Sequence, residues 1–334
     1  MVKTSLYHHL EALISHLPEE LVPSDSLDQI ALLMQRFPEE FSHFWGFECR
    51  LGEDHSAVDW LVCVTKKDIN ALGEWTFSNS EWGNHSFWNR IGTFSAKWIQ
   101  SDSPENQRIK NIWLEFDLGE ERLPEIPNLF WGLPRVKHKV LQKANAAQWL
   151  GEDFIPQITG IEVDKAIIHQ LARSIDFLPE QAYIFQMGYM AARSQNGIRI
   201  CVRGMRQKEA FQYLRNMGWP GDLSGLVNRL APLTGTGMLV DIDLDLFAEG
   251  VGPVLGLECS FRRQDDPGWE VLIDYLVGNG WCKWEKKGAI LGVGRKVFFA
   301  GESLHLTVNH IKLTVKENNV FMAKGYLGVR NNHL

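Results

Sequence analysis

A chain of 334 residues, 45% hydrophobic and 22% charged, suffices for one large or two medium domains and excludes a wholly disordered protein. Its net charge of −7 is uneven: 14 Lys and Arg face 23 Asp and Glu over residues 1–160, and 20 face 18 over the remainder. An acidic half repels phosphate backbones and no basic block occurs, which argues against nucleic acid as the main partner; no run of about 18 apolar residues suggests a membrane span.

The N-terminal stretch MVKTSLYHHLEALISHLPEEL mixes histidines and acids with its apolar residues and does not read as a signal peptide. Five cysteines, none in a CxxC pair, mostly sit in apolar strand-like runs, as buried free thiols of a cytoplasmic protein would. Nine of the 13 tryptophans fall before residue 150. Most are expected to fill a core; Trp75 and Trp82, in the polar stretch EWTFSNSEWGNHS, are the candidates for an exposed contact.

In chain order, residues 4–17 and 25–36 have the spacing of amphipathic helices. Phe44–Arg50 and Val58–Thr65 read as a hairpin, 84–100 as a helix, and Lys110–Leu118 and Asn128–Leu133 as two further strands. A helix is expected over 136–150, a linker over Gly151–Gly160 and a helix over 162–175. A second hairpin covers Tyr183–Ala191 and Ile198–Arg203, and helices follow at 205–217 and 222–231. Met238–Leu246 and Pro253–Phe261 form the clearest strand pair. Helices at 268–279 and 283–287 precede a last hairpin, His305–Val315 with Val320–Val329.

This order repeats, and WLEFDL (Trp113–Leu118) matches LVDIDL (Leu239–Leu244), Glu115 against Asp241 and Asp117 against Asp243. The expected fold class is therefore α+β, in two pseudo-repeated halves, each a mostly antiparallel sheet with packed helices. The expected divisions are 1–40 (N-terminal helices), 41–150 (a Trp-rich acidic half) and 161–334 (a half with a charged sheet face).

Period-two alternation puts Val240, Ile242, Leu244 and Leu246 on one face and Asp241, Asp243 and Asp245 on the other. Applied to neighbouring strands, the rule gathers Arg199, Arg203, Asp241, Asp243, Glu258, His310, Lys312, Lys324 and Tyr326 on one face. That face is either the solvated outside of an antiparallel sheet or a recognition floor whose mixed signs suit a peptide. Carboxylates about 6–7 Å apart along one strand are too far apart for all three aspartates to hold one small ion, and Leu246 stands where a calcium loop needs Gly. No metal and no cofactor are expected. HExxH, GxSxG and P-loop motifs are absent, and Gly292-Val293-Gly294 reads as a turn. His310, with acidic and basic strand neighbours, is the candidate for acid–base chemistry.

The runs Val240-Asp241-Ile242-Asp243, Gly252-Pro253, Leu255–Cys259, Asn309–Lys312 and Ala323–Leu327 resemble peptide-binding accessory proteins of crocagin-type ribosomal peptide natural-product clusters. The resemblance implies a non-catalytic protein that holds a precursor peptide or other small peptide, with modifying enzymes as further partners. Two alternatives stand beside it. One is an enzyme, metal-assisted or not, using the acidic and histidine cluster of the C-terminal strands. The other is a protein–protein scaffold using the Trp-rich half.

Overall fold

Alternation along the strands decides where the two kinds of surface go. The computed structural model describes residues 5–54, 57–78, 85–119, 122–135, 145–193, 196–299, 302–316 and 319–333. Eleven strands form one antiparallel sheet: β1 (Phe44–Arg50), β2 (Val58–Thr65), β3 (Asn111–Phe116), β4 (Asn128–Gly132), β5 (Tyr183–Tyr189), β6 (Ile198–Arg203), β7 (Leu239–Phe247), β8 (Gly250–Ser260), β9 (Arg295–Phe299), β10 (Glu302–Lys316) and β11 (Asn319–His333). The spatial order β11-β1-β2-β3-β4-β5-β6-β7-β8-β10 closes on itself because β10 also pairs with β11. The result is a closed ten-strand antiparallel barrel, with β9 lying along the first part of β10.

Two sheet halves are thus corrected to one barrel. The physical reason lies in two pairings between distant strands. Phe44–Arg50 pairs with Lys324–Arg330, and Leu129–Gly132 pairs with Gln186–Tyr189. Each would-be half otherwise ends in unpaired edge strands, and joining them end to end satisfies both pairs of edges. Segments 41–150 and 161–334 therefore contribute strands to the same barrel.

The outward faces of the strands carry the apolar residues. Trp45, Phe47, Trp60, Val62, Ile112, Leu114, Trp131, Ile200, Ile242, Leu244, Leu257, Ile311 and Leu313 are buried and share one hydrophobic cluster with helix residues such as Leu10, Ile30, Trp88, Leu171 and Leu272. The helices wrap the outside, so the main core is the shell between barrel and helices. Each large side chain buried there contributes about 1.5–3 kcal/mol. In that shell Phe37 stacks on Trp75 (4.7 Å) and Trp60 on Phe116 (5.4 Å).

Several local expectations change. Trp75 is buried and donates from Nε1 to the Arg36 carbonyl at 2.7 Å, so it offers no exposed contact; Trp82 lies outside the described residues. The expected linker 151–160 is helical instead. A π turn (Trp149–Phe154) runs into the helix Ile155–Thr159, because Leu150, Phe154, Ile155 and Ile158 all bury against the barrel shell. Most of the helix expected over 136–150 lies outside the described residues, apart from the turn Ala146–Gln148. The strand β9 was not expected.

The seam of the barrel depends on Gly46. A Cβ there would sit 2.0 Å from the Leu327 carbonyl oxygen on β11, a backbone atom that cannot swing aside. Gly46→Ala is expected to lower the urea midpoint by the equivalent of about 1–3 kcal/mol. An unchanged midpoint would mean that the seam tolerates a side chain.

Candidate functional site

The inward faces are polar. Glu48, Asp59, Glu115, Arg199, Cys201, Arg203, Asp241, Asp243, Asp245, Glu258, His310, Lys312, Lys324 and Tyr326 all sit where alternation turns them away from the apolar shell. All nine residues grouped from the sequence are brought together. Their face, expected as one side of an open sheet, is the wall of a closed bore, and several members are less than one-tenth exposed.

Charges in such a place must be paired. Arg199 grips Asp245 with two bonds, Nε to Oδ1 at 2.8 Å and Nη2 to Oδ2 at 3.0 Å. Arg193 reaches Glu115 Oε1 at 2.8 Å and both oxygens of Asp117. Lys324 and Tyr326 both donate to Glu48. Lys312 pairs with Asp243, and Arg203 with Asp241 at 2.5 Å. Burial alone would raise the Glu48 carboxyl, but the Lys324 ammonium and the two donated bonds outweigh it and bring its pKa to about 2. Burial likewise opposes ionisation of Asp243, and Lys312 with Arg199 overcomes it. Gly256 makes the Lys312–Asp243 pair possible: a Cβ at 256 would lie 2.8 Å from Lys312 Cε and 2.9 Å from Asp243 Cβ.

The ion pairs Arg199–Asp245 and Lys324–Glu48 fill one end of the bore. The other end is an open chamber of about 1160 Å³. Its walls include the aromatic rings of Phe44, Trp113, Phe130, Tyr183 and Phe185, and its depth is marked by Glu115, Asp243, Glu258, His310, Lys312 and Tyr326. The helices Gln207–Met217 and Leu223–Leu230 contribute Phe211, Leu214, Leu226 and Leu230 to its cover.

His310 is among the chamber side chains that have a buried atom without a hydrogen bond. His310 stacks on Tyr326 (centroids 4.2 Å apart, 21° between planes), but its buried Nε2 has no hydrogen bond. The nearest carboxyl oxygen is Glu258 Oε1 at 3.8 Å, beyond hydrogen-bond reach. Burial and the neighbouring Lys312 lower the imidazole to about 3, so it is neutral across the physiological range. Burial and the charge of Asp243 raise Glu258 to about 8, so it is mostly protonated at neutral pH. A β-bulge between Val308 and His310 aims the ring inward: Val308 faces the shell and His310, two residues on, faces the bore.

A metal is a separate question. Donor atoms of Cys201, Asp243 and Glu258 lie within 4.8 Å of one another, as do those of His9, Glu39 and Glu302. In the first group Asp243 is engaged by Lys312, whose positive charge opposes a cation, and burial pushes the Cys201 thiol far up. The residues therefore fit proton chemistry better than metal chemistry.

The sequence reading missed Glu48 and the aromatic wall. Glu48 was findable, since the alternation of Trp45, Phe47 and Cys49 turns Gly46, Glu48 and Arg50 to the opposite face. Phe44, Trp113 and Phe130 gave no such signal, because aromatic residues on a strand are expected on its core side.

Glu258 gives a test of these electrostatics. Its folded pKa lies above the ordinary 4.5, so its favourable contribution is full below 4.5 and is lost as pH rises to about 8. Glu258→Gln should flatten the pH dependence of unfolding free energy in that window, by up to about 1.4 kcal/mol per pH unit. Superimposable wild-type and variant profiles would refute a protonated Glu258. Breaking the neighbouring pair is a second test: Lys312→Met leaves Asp243 buried and unpaired and should cost about 3–5 kcal/mol in chemical denaturation.

No family model matches the chain, and no curated protein does. Among solved structures it is similar in fold to the crystal structure of AnaPT from Neosartorya fischeri, at 12% sequence identity and a TM-score of 0.51. That match covers 99% of this chain and 92% of the other, so the likeness extends over the whole barrel and its helices.

Proposed function

We propose that the protein is an enzyme whose chemistry takes place deep in the barrel chamber, at His310 and Glu258. The observation that carries this is the His310 Nε2: buried, without a hydrogen bond, and 3.8 Å from a carboxyl beside an aromatic-walled chamber. Trp60 and Trp131 also bury an Nε1 without a hydrogen bond, but in the packed shell; an open atom beside a chamber is available to a substrate. This reading takes the enzyme alternative over the non-catalytic peptide holder expected from the sequence.

AnaPT is an aromatic prenyltransferase, and the shared barrel supports transfer of an allylic group to an aromatic ring as the reaction class. In that reaction the C–O bond of an allylic diphosphate breaks and diphosphate leaves. The freed carbon bonds to a ring carbon, which must then lose its proton. The resulting arenium cation is so strong an acid that even an imidazole with a pKa near 3 accepts the proton, provided its lone pair is free. Burial keeps His310 neutral and therefore able to do so. Protonated Glu258 donates a hydrogen bond to a heteroatom of the ring, and the stacked Tyr326 holds the imidazole in place.

The test is incubation with dimethylallyl diphosphate and a panel of indole- and phenol-bearing acceptors, short peptides among them, with products read by mass spectrometry. A prenylated product is expected, with turnover falling about 10²–10⁴-fold in His310→Ala. No product from any acceptor would reject the reaction class; full activity in His310→Ala would reject the role of the imidazole.

A second reading has its own support. A large chamber with both signs of charge suits a peptide segment, in keeping with the resemblance to peptide-binding accessory proteins. Calorimetry with precursor peptides should then detect binding that Arg203→Ala or Asp243→Ala weakens, and absence of heat with every peptide would remove this reading.

A further inference from the structure

The chamber is charged differently at its two ends. Deep inside, Lys312, Lys324, Arg199 and Arg193 are each held by at least one carboxylate. At the mouth the pattern reverses. Lys110 precedes β3, Arg135 follows β4 and Arg206 follows β6; all three line the chamber and are exposed. Among the described residues none of the three has a carboxylate within salt-bridge distance, and each acid lining the chamber, Glu115, Asp241, Asp243 or Glu258, belongs to its depth or is held by Arg203. The acid close to Arg206 is Glu209, whose oxygens receive the Arg206 backbone N–H at 2.8 Å and the Gln181 amide at 2.6 Å, and it does not line the chamber.

These cations belong to consecutive strand ends. The Lys110 backbone N–H donates to the Gly132 carbonyl at the end of β4, and the Arg135 guanidinium lies 5.4 Å over the ring of Tyr183 at the start of β5. Tyr183 pairs with Arg203 at the end of β6, and Arg203 lies 4.1 Å over Phe185. An arc of cations interleaved with aromatic rings therefore borders one side of the mouth. In a protein of net charge −7 this is a local reversal of sign. It attracts anions and orients any long molecule that enters.

We infer that the aromatic substrate of this chamber carries an anionic group, a carboxylate or a phosphate, which Lys110, Arg135 and Arg206 hold at the mouth while the ring is carried down toward His310 and Glu258. The inference rests on the chamber being the site of the proposed enzyme, and it adds the charge and orientation of what enters. A cationic group at the same end is repelled by the arc.

Isothermal titration calorimetry with three probes of similar ring and different charge tests it: indole-3-propionate, 3-methylindole and tryptamine. Indole-3-propionate should bind at least 10-fold more tightly than tryptamine, its affinity should fall with added salt, and Arg135→Gln/Arg206→Gln should remove the difference without altering the melting temperature. Competition by acetate or a peptide carboxylate supports an anion on the ring-bearing substrate; competition by inorganic diphosphate but not by acetate assigns the arc to the diphosphate of the allylic donor and overturns the inference. Equal affinity for all three probes, or tighter tryptamine binding, overturns the inference and leaves the enzyme reading standing. Failure of every probe to bind overturns both.

Discussion

The seam between β1 and β11 is the constraint on which the rest depends. Once Phe44–Arg50 pairs with Lys324–Arg330, ten strands have no open edge and the sheet acquires an inside. Each strand must then choose which of its two faces goes in. The apolar faces turn outward to meet the helices, where large aromatic and aliphatic side chains are buried together in one cluster. The polar faces are left to line the bore. The close approach of the β1 and β11 backbones at Gly46 is thus linked directly to the burial of charge.

Burying so many charges imposes order on them. A lone carboxylate or ammonium in the bore would be costly, so Arg199 holds Asp245, Arg193 holds Glu115 and Asp117, and Lys324 holds Glu48. Arg199, Asp245, Lys324 and Glu48 thereby sit paired beyond the residues that line the chamber. Within the chamber the pairing is incomplete. Burial and the charge of Asp243 keep the proton on Glu258, while burial and the charge of Lys312 keep His310 neutral. The same low-polarity surroundings that make ionisation expensive thereby set up a proton donor and a proton acceptor 3.8 Å apart.

The chamber divides recognition between its ends. Rings in its walls offer a stacking surface that is indifferent to charge, while the mouth is basic and the depth is balanced. On the proposed reading, such polarity would select which end of a substrate enters first. A peptide bearing an aromatic side chain and a carboxylate would meet the requirements of both proposed readings.

Much of the local structure was legible in the sequence. Period two along Val240–Leu246, Ile198–Arg203 and Ile311–Val315 identified the strands, separated the apolar from the charged face and brought Arg199, Asp243, Glu258, His310 and Lys312 onto one surface. That much follows because side-chain direction in a strand is a local property of the backbone. Closure is not local. Nothing in Phe44–Arg50 announces that its partner lies some 280 residues away, so the likeness of WLEFDL to LVDIDL suggested two sheets where there is one barrel. The bulge at His310, the burial of Trp75 and the helical course of residues 151–160 likewise depend on what packs against them. The sequence by itself determined which residues share a face. Only the tertiary structure decided that this face is an interior, because whether a polar strand face meets water or other charges depends on where the distant edges of the sheet meet.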